Sequence, residues 1–171
     1  MSIAFELEPS AGNPPDVDYR WDPDTDILTA NLRPRAVGEG ISGSVEVEGK
    51  DGSWLILDIA SGRINGVEVA VWPDVRKRSA LQPPASVEDV RVLFPAQRAR
   101  AGVASLELNT HLMAEADHAE RVIHFRLGAL RETKTVRVGR DLLLDLDTER
   151  RIAGVWLLNV PPFPGAVGGV P

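Results

Sequence analysis

The feature that most constrains the fold of this chain is a phrase that occurs twice. LILDIASGRINGVEV stands at residues 55–69, and LLLDLDTERRIAGVWLL stands at residues 142–158. Each copy runs from an apolar segment through an aspartate and a turn to a glycine inside a second apolar segment. The recurrence predicts an internal duplication, so the chain should contain two similar units.

Other segments match in the same order along the two halves. Apolar residues pair with apolar residues, as Leu28 does with Ile123 and Val45 with Val136, whereas polar neighbours differ. This pattern is expected of two copies that keep the same apolar core while their surface residues diverge. The matched segments are residues 5–8 with 106–109, 26–32 with 121–127, 44–49 with 135–140, 55–59 with 142–146, and 64–73 with 152–161.

The fold class follows from period-two alternation of apolar and polar residues, which indicates half-buried strands. We expect an all-β protein with at most one or two short helices. Its predicted architecture is two tandem antiparallel β-meander repeats packed with pseudo-twofold symmetry. The one fair helix candidate is SVEDVRVLF at residues 86–94, which fits a strand equally well.

The predicted domain boundaries follow the duplication. Residues 1–74 form the first β repeat, and residues 102–162 form the second. Residues 75–101, with a short helix or strand, link them, and residues 163–171 are a flexible tail rich in proline and glycine. Each half alone would have a marginal core, so we expect the copies to pack on one another.

Composition excludes several function classes. The net charge is −6 and the pI is near 5.1, which disfavours a nucleic-acid partner. The chain has no cysteine, so disulfides and thiolate chemistry are absent. The N-terminus has no apolar signal segment, and no apolar run is long enough to span a membrane. We therefore expect a cytoplasmic protein, with no cofactor indicated.

The repeated phrase resembles the bacterial domain-of-unknown-function 2283 family. The first copy carries YRWDPDTDILTANL (19–32) followed by LILDIASGRINGVEV, and the second carries RVIHFRL (121–127) followed by LLLDLDTERRIAGVWLL. The second copy lacks the aspartate–proline start. The resemblance implies a small β-rich domain with no established activity, here fused as a covalent pseudo-dimer, and it transfers no catalytic residues.

Carboxylates at the repeated positions are the catalytic candidates. Asp58 and Asp145 recur in the two copies, and Glu68 lies on the strand after Asp58. Paired carboxylates suit acid–base chemistry. The structural alternative is that each aspartate accepts hydrogen bonds from turn amides at the end of a strand.

The histidines are the metal candidates. His111, His118 and His124 all lie in the second half, and a zinc site would need them to converge with Glu115 or Asp117. In this interpretation His111 and His118 flank a hairpin turn, MAEAD. By alternation His124 points to the polar face of its strand. The alternative is solvated surface histidines.

A second acidic cluster is interpreted as structural. Asp22 and Asp26 lie in WDPDTDIL, where an EF-hand would need glycine and glutamate at the positions of Ile27 and Arg33. We therefore expect these aspartates to cap turn amides.

Three glycines are likewise expected to be structural. Gly62 lies in the predicted turn, and Gly66 and Gly154 lie inside apolar strands. A glycine within a strand indicates a bulge or the close approach of another group.

The function class predicted from these features is a non-enzymatic protein-interaction or assembly module. Exposed sheet edges and some of the tryptophans would contact another protein or a second copy. One alternative is a small-molecule or metal-dependent enzyme with a polar site at the seam between repeats, and another is an antitoxin-like partner protein. The four tryptophans are Trp21, Trp54, Trp72 and Trp156.

Overall fold

The computed structural model describes residues 3–10, 12–95 and 105–164, and every regular element in those ranges is a strand. No helix in the described part of the chain is long and apolar enough to cross a membrane. The strands are β1 (Glu6–Pro9), β2 (Asp16–Trp21), β3 (Leu28–Arg33), β4 (Gly43–Gly49), β5 (Trp54–Ala60), β6 (Arg63–Val71), β7 (Val75–Lys77), β8 (Glu88–Leu93), β9 (Ser105–Thr110), β10 (Leu112–Ala116), β11 (Ile123–Leu127), β12 (Thr133–Gly139), β13 (Leu142–Asp147) and β14 (Ile152–Leu157).

The strands form one curled, mixed sheet with two sections. In the N-terminal section the spatial order is β2-β3-β6-β5-β4, and in the C-terminal section it is β10-β11-β14-β13-β12. All pairs within each section are antiparallel. The all-β prediction is therefore confirmed.

The strand order differs from the simple meander that the sequence suggested. In a meander β3 would pair with β4, but it pairs with β6. As the middle strand of the section, β6 is buried on both faces from Ile64 to Val67. The sheet also contains three parallel pairs, which are β7 with β10, β8 with β12, and β9 with β4.

The first of the five matched segment pairs is not placed equivalently. Residues 5–8 contribute to β1, which pairs with β8, whereas residues 106–109 lie in β9, which pairs with β4. The equivalent first strands of the two sections are instead β2, which pairs with β3, and β10, which pairs with β11.

Two segments whose secondary structure was left open or wrongly predicted from sequence are strands. Residues 88–93, in the helix-or-strand candidate, form β8, with Val90 and Val92 buried and Arg91 exposed between them. MAEAD was expected to be a turn, but Leu112–Ala116 is β10, with Ala114 buried between half-buried neighbours. The turn comes after it, where Glu120 N donates to Asp117 O.

A single apolar core joins the two sections. The largest buried cluster takes Leu28, Val45 and Leu57 from the N-terminal section together with Phe125 and Leu144 from the C-terminal one. Burial of these side chains from both sides is the dominant stabilising contribution. The sections therefore share one hydrophobic core.

Polar contacts reinforce this joint. Tyr19 Oη donates a hydrogen bond of 2.7 Å to Leu158 O, and Trp21 Nε1 donates one of 2.8 Å to Pro161 O. The Trp72 ring lies 5.7 Å from the Phe125 ring. Burial raises the pKa of Tyr19, so its phenol remains a donor throughout the physiological range. The predicted linker at 75–101 contains β7 and β8, and its residues 96–101 lie outside the described residues, as do residues 165–171 of the predicted tail.

Each section carries a β-bulge beside its repeated aspartate. Asp58 faces Gly66 and Ile59 faces Ile64, which leaves Asn65 as the extra residue on β6. Asp145 faces Gly154 and Leu146 faces Ile152, which leaves Ala153 as the extra residue on β14. A bulge bends its strand and redirects side chains locally.

Candidate ligand-binding site

The candidate site lies on the outer face of the C-terminal section, turned away from the shared core. His124 on β11 faces Trp156 on β14, and their rings stack with centroids 3.9 Å apart. Ile123 and Phe125, on either side of His124, are buried in the core. Because side chains alternate along a strand, the His124 side chain lies on the outer face.

A loop covers part of this face. Residues 78–87, which connect β7 to β8, place Leu81 against Leu143 and Trp156 in a small apolar cluster separate from the main core. We call these residues the covering loop. Because of it, Trp156 is only 6% exposed although it points away from the core.

A buried polar cluster lies beneath the covering loop. Asp145 Oδ2 lies 2.8 Å from His124 Nε2. Asp145 Oδ1 accepts hydrogen bonds from Thr135 Oγ1 at 2.5 Å and from Trp156 Nε1 at 3.2 Å. The carboxylate of Asp145 on β13 thus joins side chains from three other strands, β11, β12 and β14.

These hydrogen bonds keep the carboxylate ionised. Burial alone would raise the pKa of Asp145, but the hydrogen bonds and charge of His124, with the donors of Thr135 and Trp156, outweigh it and lower the pKa. The contacts of Asp145 are with side chains and not with the turn amides expected from sequence. Asp147 fills that role, because its Oδ1 accepts from Glu149 N and Arg151 N at 2.9 Å each.

Gly154 provides the space for this cluster. A Cβ at this position would lie 2.4 Å from Asp145 Oδ2, 2.9 Å from Phe125 O and 3.0 Å from His124 Nε2. Any side chain here would displace the His124–Asp145 contact. In the N-terminal section a Cβ at Gly66 would meet Asn31 Oδ1 and Ala30 O instead, at 2.5 and 2.7 Å.

A cavity of about 730 Å³ opens beside the cluster, between the covering loop and strands β10 and β11. Its apolar lining includes Leu81, Met113 and Trp156. Its polar lining includes Arg76 and Arg78 from the VRKR segment, together with Glu115, His124 and Arg126. Cationic groups therefore outnumber carboxylates in the cavity wall.

Arg126 is the cavity arginine whose guanidinium is partly buried without an ion-pair partner in the described part of the chain. Its Nη2 contacts Met113 Sδ at 2.8 Å, and its Nε is buried with no hydrogen-bond partner. Arg78, in contrast, reaches Glu115 at 3.4 Å. Among the described residues no carboxylate lies within ion-pair distance of Arg126 or Arg76. The cavity can therefore accept an anionic group together with apolar atoms.

The other carboxylate candidates lie elsewhere. Asp58 and Glu68 belong to the N-terminal section, on β5 and β6, and Asp145 to the C-terminal one. Asp58 Oδ2 accepts from Arg35 Nη1 at 3.1 Å and from Asn65 Nδ2 at 3.2 Å. The three carboxylates predicted to act together are thus divided between the two sections.

The three histidines do not form a metal site in the described residues, where no group of three histidine, aspartate or glutamate side chains is arranged to hold a metal. His111 is exposed between β9 and β10, and its carbonyl accepts from Gly128 N at 2.7 Å. His118 is exposed in the turn after β10. His124 alone lines the cavity.

The residues predicted to be structural lie in turns and strands. Asp22 Oδ1 accepts from Asp24 N at 2.9 Å, and Asp26 has a φ of 58° in the same turn. Hydrogen bonds from the Asp24 amide and from Thr25 lower the pKa of Asp22. Gly62 has a φ of 75° in the turn between β5 and β6.

One cleft at the seam between the two sections combines an apolar floor with a polar rim. A cleft of about 570 Å³ there is floored by Val45, Val47 and Leu57, which are at most 1% exposed. The arginines at its rim, Arg131 and Arg151, are bound to Asp147. None of Asp58, Glu68 and Asp145 lines this cleft.

Sequence reasoning missed Thr135, Met113 and Arg126. Arg126 is two residues after His124 and therefore lies on the same face of β11. That spacing was available in RVIHFRL. The covering loop, in contrast, had no sequence signal that would place it on this face.

Comparison with known proteins adds no family assignment: no protein-family model matches the chain, and no curated protein matches it. The resemblance to the domain-of-unknown-function 2283 family therefore stays a prediction.

Proposed function

We propose that the protein is a non-enzymatic interaction module that binds an acidic group of its partner in the cavity beside Arg126. The observation that carries this proposal is Arg126, whose buried Nε has no hydrogen-bond partner and whose guanidinium has no carboxylate within ion-pair distance among the described residues. A buried donor of a charged group left unsatisfied costs roughly 1–3 kcal/mol or more. A carboxylate that enters the cavity and takes the place of Met113 Sδ at Nη2 would pair the guanidinium with an opposite charge.

The rest of the cavity supports an acidic partner. Arg76 adds a second cation at the entrance, and Arg78 can exchange its long contact with Glu115 for a closer one. Arginine guanidinium groups bind carboxylates through two parallel hydrogen bonds, which gives orientation as well as affinity. Trp156, Met113 and Leu81 offer apolar surface for the remainder of the bound segment.

The polar cluster supports binding more than chemistry. Both Asp145 oxygens are occupied by donors, and Thr135 gives its hydroxyl proton to one of them. These groups hold the wall of the cavity in place, because moving any one of them breaks a contact of the buried carboxylate. We therefore assign the cluster a positioning role for the His124 ring and the β11 face.

The proposal is tested by titrating the full chain with a hexaglutamate peptide at low salt and following binding by isothermal calorimetry. We expect Arg126→Met to abolish binding, since methionine keeps the apolar stem and removes the charge. The matched control is Arg121→Met, which removes the same charge from an exposed position outside the cavity. No binding by the unaltered chain, or equal binding by Arg126→Met, would contradict the proposal.

We also infer that the two sections are copies of one ancestral unit related by a pseudo-twofold axis. The shared strand order and the bulge beside each repeated aspartate support this inference. An experimental structure provides the test. Superposing β2–β6 on β10–β14 should bring Asp58 and Gly66 onto Asp145 and Gly154, and an offset of one residue would contradict a common origin.

A further inference from the structure

Charge is divided unevenly along this chain. Residues 1–74 contain fourteen acidic and five basic residues, a formal charge of −9. Residues 75–171 contain eleven acidic and fourteen basic residues, a formal charge of +3. The arginine-lined cavity belongs to the second part of the chain, so the two parts of one molecule have opposite electrostatic character.

The N-terminal section exposes an apolar patch within this acidic surface. Trp54 on β5 is 39% exposed, and Val71, directly opposite on β6, is 45% exposed. Glu48, also exposed, lies opposite Trp54 on the other side, on β4. Half-buried Ile56, two residues from Trp54, faces Glu68. We call Glu48, Trp54, Ile56, Glu68 and Val71 the acidic face.

We propose that the acidic partner of the cavity is a second copy of this chain, which docks its acidic face on the arginine-lined cavity. This inference rests on the proposed function of that cavity. Carboxylates of Glu48 and Glu68 supply the groups that Arg126 and Arg76 lack. Trp54 and Val71 supply apolar surface to meet Leu130, which is 81% exposed at the cavity rim.

Complementary surfaces on different parts of one molecule produce a heterologous interface. Such an interface joins copies head to tail and leads to a ring or an open chain, not to an isolated twofold dimer. Tryptophan and arginine are the residues most enriched among energetically dominant interface contacts. Association through charged groups at the rim should weaken as salt rises.

The test measures assembly of the full chain by sedimentation velocity over a concentration series at low salt. We expect the unaltered chain to form species larger than a dimer, and 0.5 M salt to shift them toward monomer. Trp54→Ser with Glu48→Lys disrupts the acidic face, and Arg126→Met removes one of the three cavity arginines. Each variant alone should remain monomeric, with an unchanged circular dichroism spectrum as the check on folding. Arg121→Met should assemble as the unaltered chain does.

Mixing the two variants is the decisive measurement. An equimolar mixture retains one intact interface, between the acidic face of Arg126→Met and the cavity of Trp54→Ser/Glu48→Lys. It should give a heterodimer and nothing larger. A monomeric unaltered chain, or a mixture that stays monomeric, overturns the inference. If hexaglutamate still binds in an Arg126-dependent way, the proposed function survives, so the two failures are distinguishable.

Discussion

The outer faces of the two sheet sections differ although their strands follow the same order. In the C-terminal section His124 lies opposite Trp156, and Arg126 lies opposite Gly154. In the N-terminal section Thr29 lies opposite Glu68, and Asn31 lies opposite Gly66. The positions occupied by an aromatic stack and a cation in one section thus carry short polar or acidic side chains in the other.

The two aspartates show what this difference does. The Asp145 side chain is 10% exposed and is held by three side-chain donors, whereas the Asp58 side chain is 34% exposed and pairs with Arg35 at the surface. Trp156, on which the covering loop packs, donates a hydrogen bond to the first, whereas the second is in contact with water. One sheet position can therefore hold a buried polar cluster or a solvated ion pair, depending on what covers the face.

Replacing each aspartate with alanine should give the largest difference in stability cost between the two sections. Asp145→Ala leaves three donors without their acceptor in a buried site, so we expect it to lower the free energy of unfolding by about 3 kcal/mol. Asp58→Ala breaks a surface ion pair and one hydrogen bond from buried Asn65, so it should cost about 1–2 kcal/mol. Urea denaturation of both variants measures the difference, and equal costs would contradict the contrast between buried and solvated aspartates.

The covering loop can be released by changing one side chain. Leu81 is 6% exposed against Leu143 and Trp156, so Leu81→Ala should lower the free energy of unfolding by about 2 kcal/mol. It should also speed proteolytic cleavage within residues 78–87 in the native state. Leu130→Ala, at an exposed position, is the control and should change neither quantity. Unchanged cleavage in Leu81→Ala would show that Leu81 does not anchor the loop.

A smaller effect is expected for the hydroxyl that supports Asp145. Thr135→Val keeps the shape of the side chain but removes one of three donors, so it should lower the free energy of unfolding by about 1 kcal/mol. Ser44, opposite Asp58 in the N-terminal section, has no hydrogen bond to that carboxylate in the structure, and Ser44→Ala should be close to neutral. Thermal unfolding of both variants compares them.

The strands were predictable from sequence where burial alternates strictly. Val45 and Val47, Leu55 and Leu57, and Val136 and Val138 all stand at period-two spacing and are buried. The order of the strands was not predictable, because pairing of β3 with β6 depends on where the chain crosses after Arg33. Local periodicity carries no information about such a non-local choice.

The site was only partly visible in the sequence. The repeated Asp145 and Gly154 marked the place, because both belong to the duplicated phrase, but their roles depend on His124 and Thr135 from neighbouring strands. The small residues of MAEAD concealed β10, since alanine at Ala114 and Ala116 gives a weak apolar pattern. The missed β10 supplies Met113 and Glu115 to the cavity wall.

The smallest expected effect is the loss at acid pH of the contribution that Asp145 makes to the free energy of unfolding. Because the folded-state pKa of Asp145 is lowered, its contribution to stability is fully present above the unfolded-state pKa of about 3.9 and is lost as pH falls through the folded value. The difference in free energy of unfolding between the unaltered chain and Asp145→Asn should therefore shrink below about pH 4. Asp147, whose pKa is also lowered, is present in both proteins and cancels in the difference. Urea titrations at a series of pH values below about pH 5 measure it, and a difference that does not shrink below about pH 4 would show that His124, Thr135 and Trp156 do not hold the carboxylate in its ionised form.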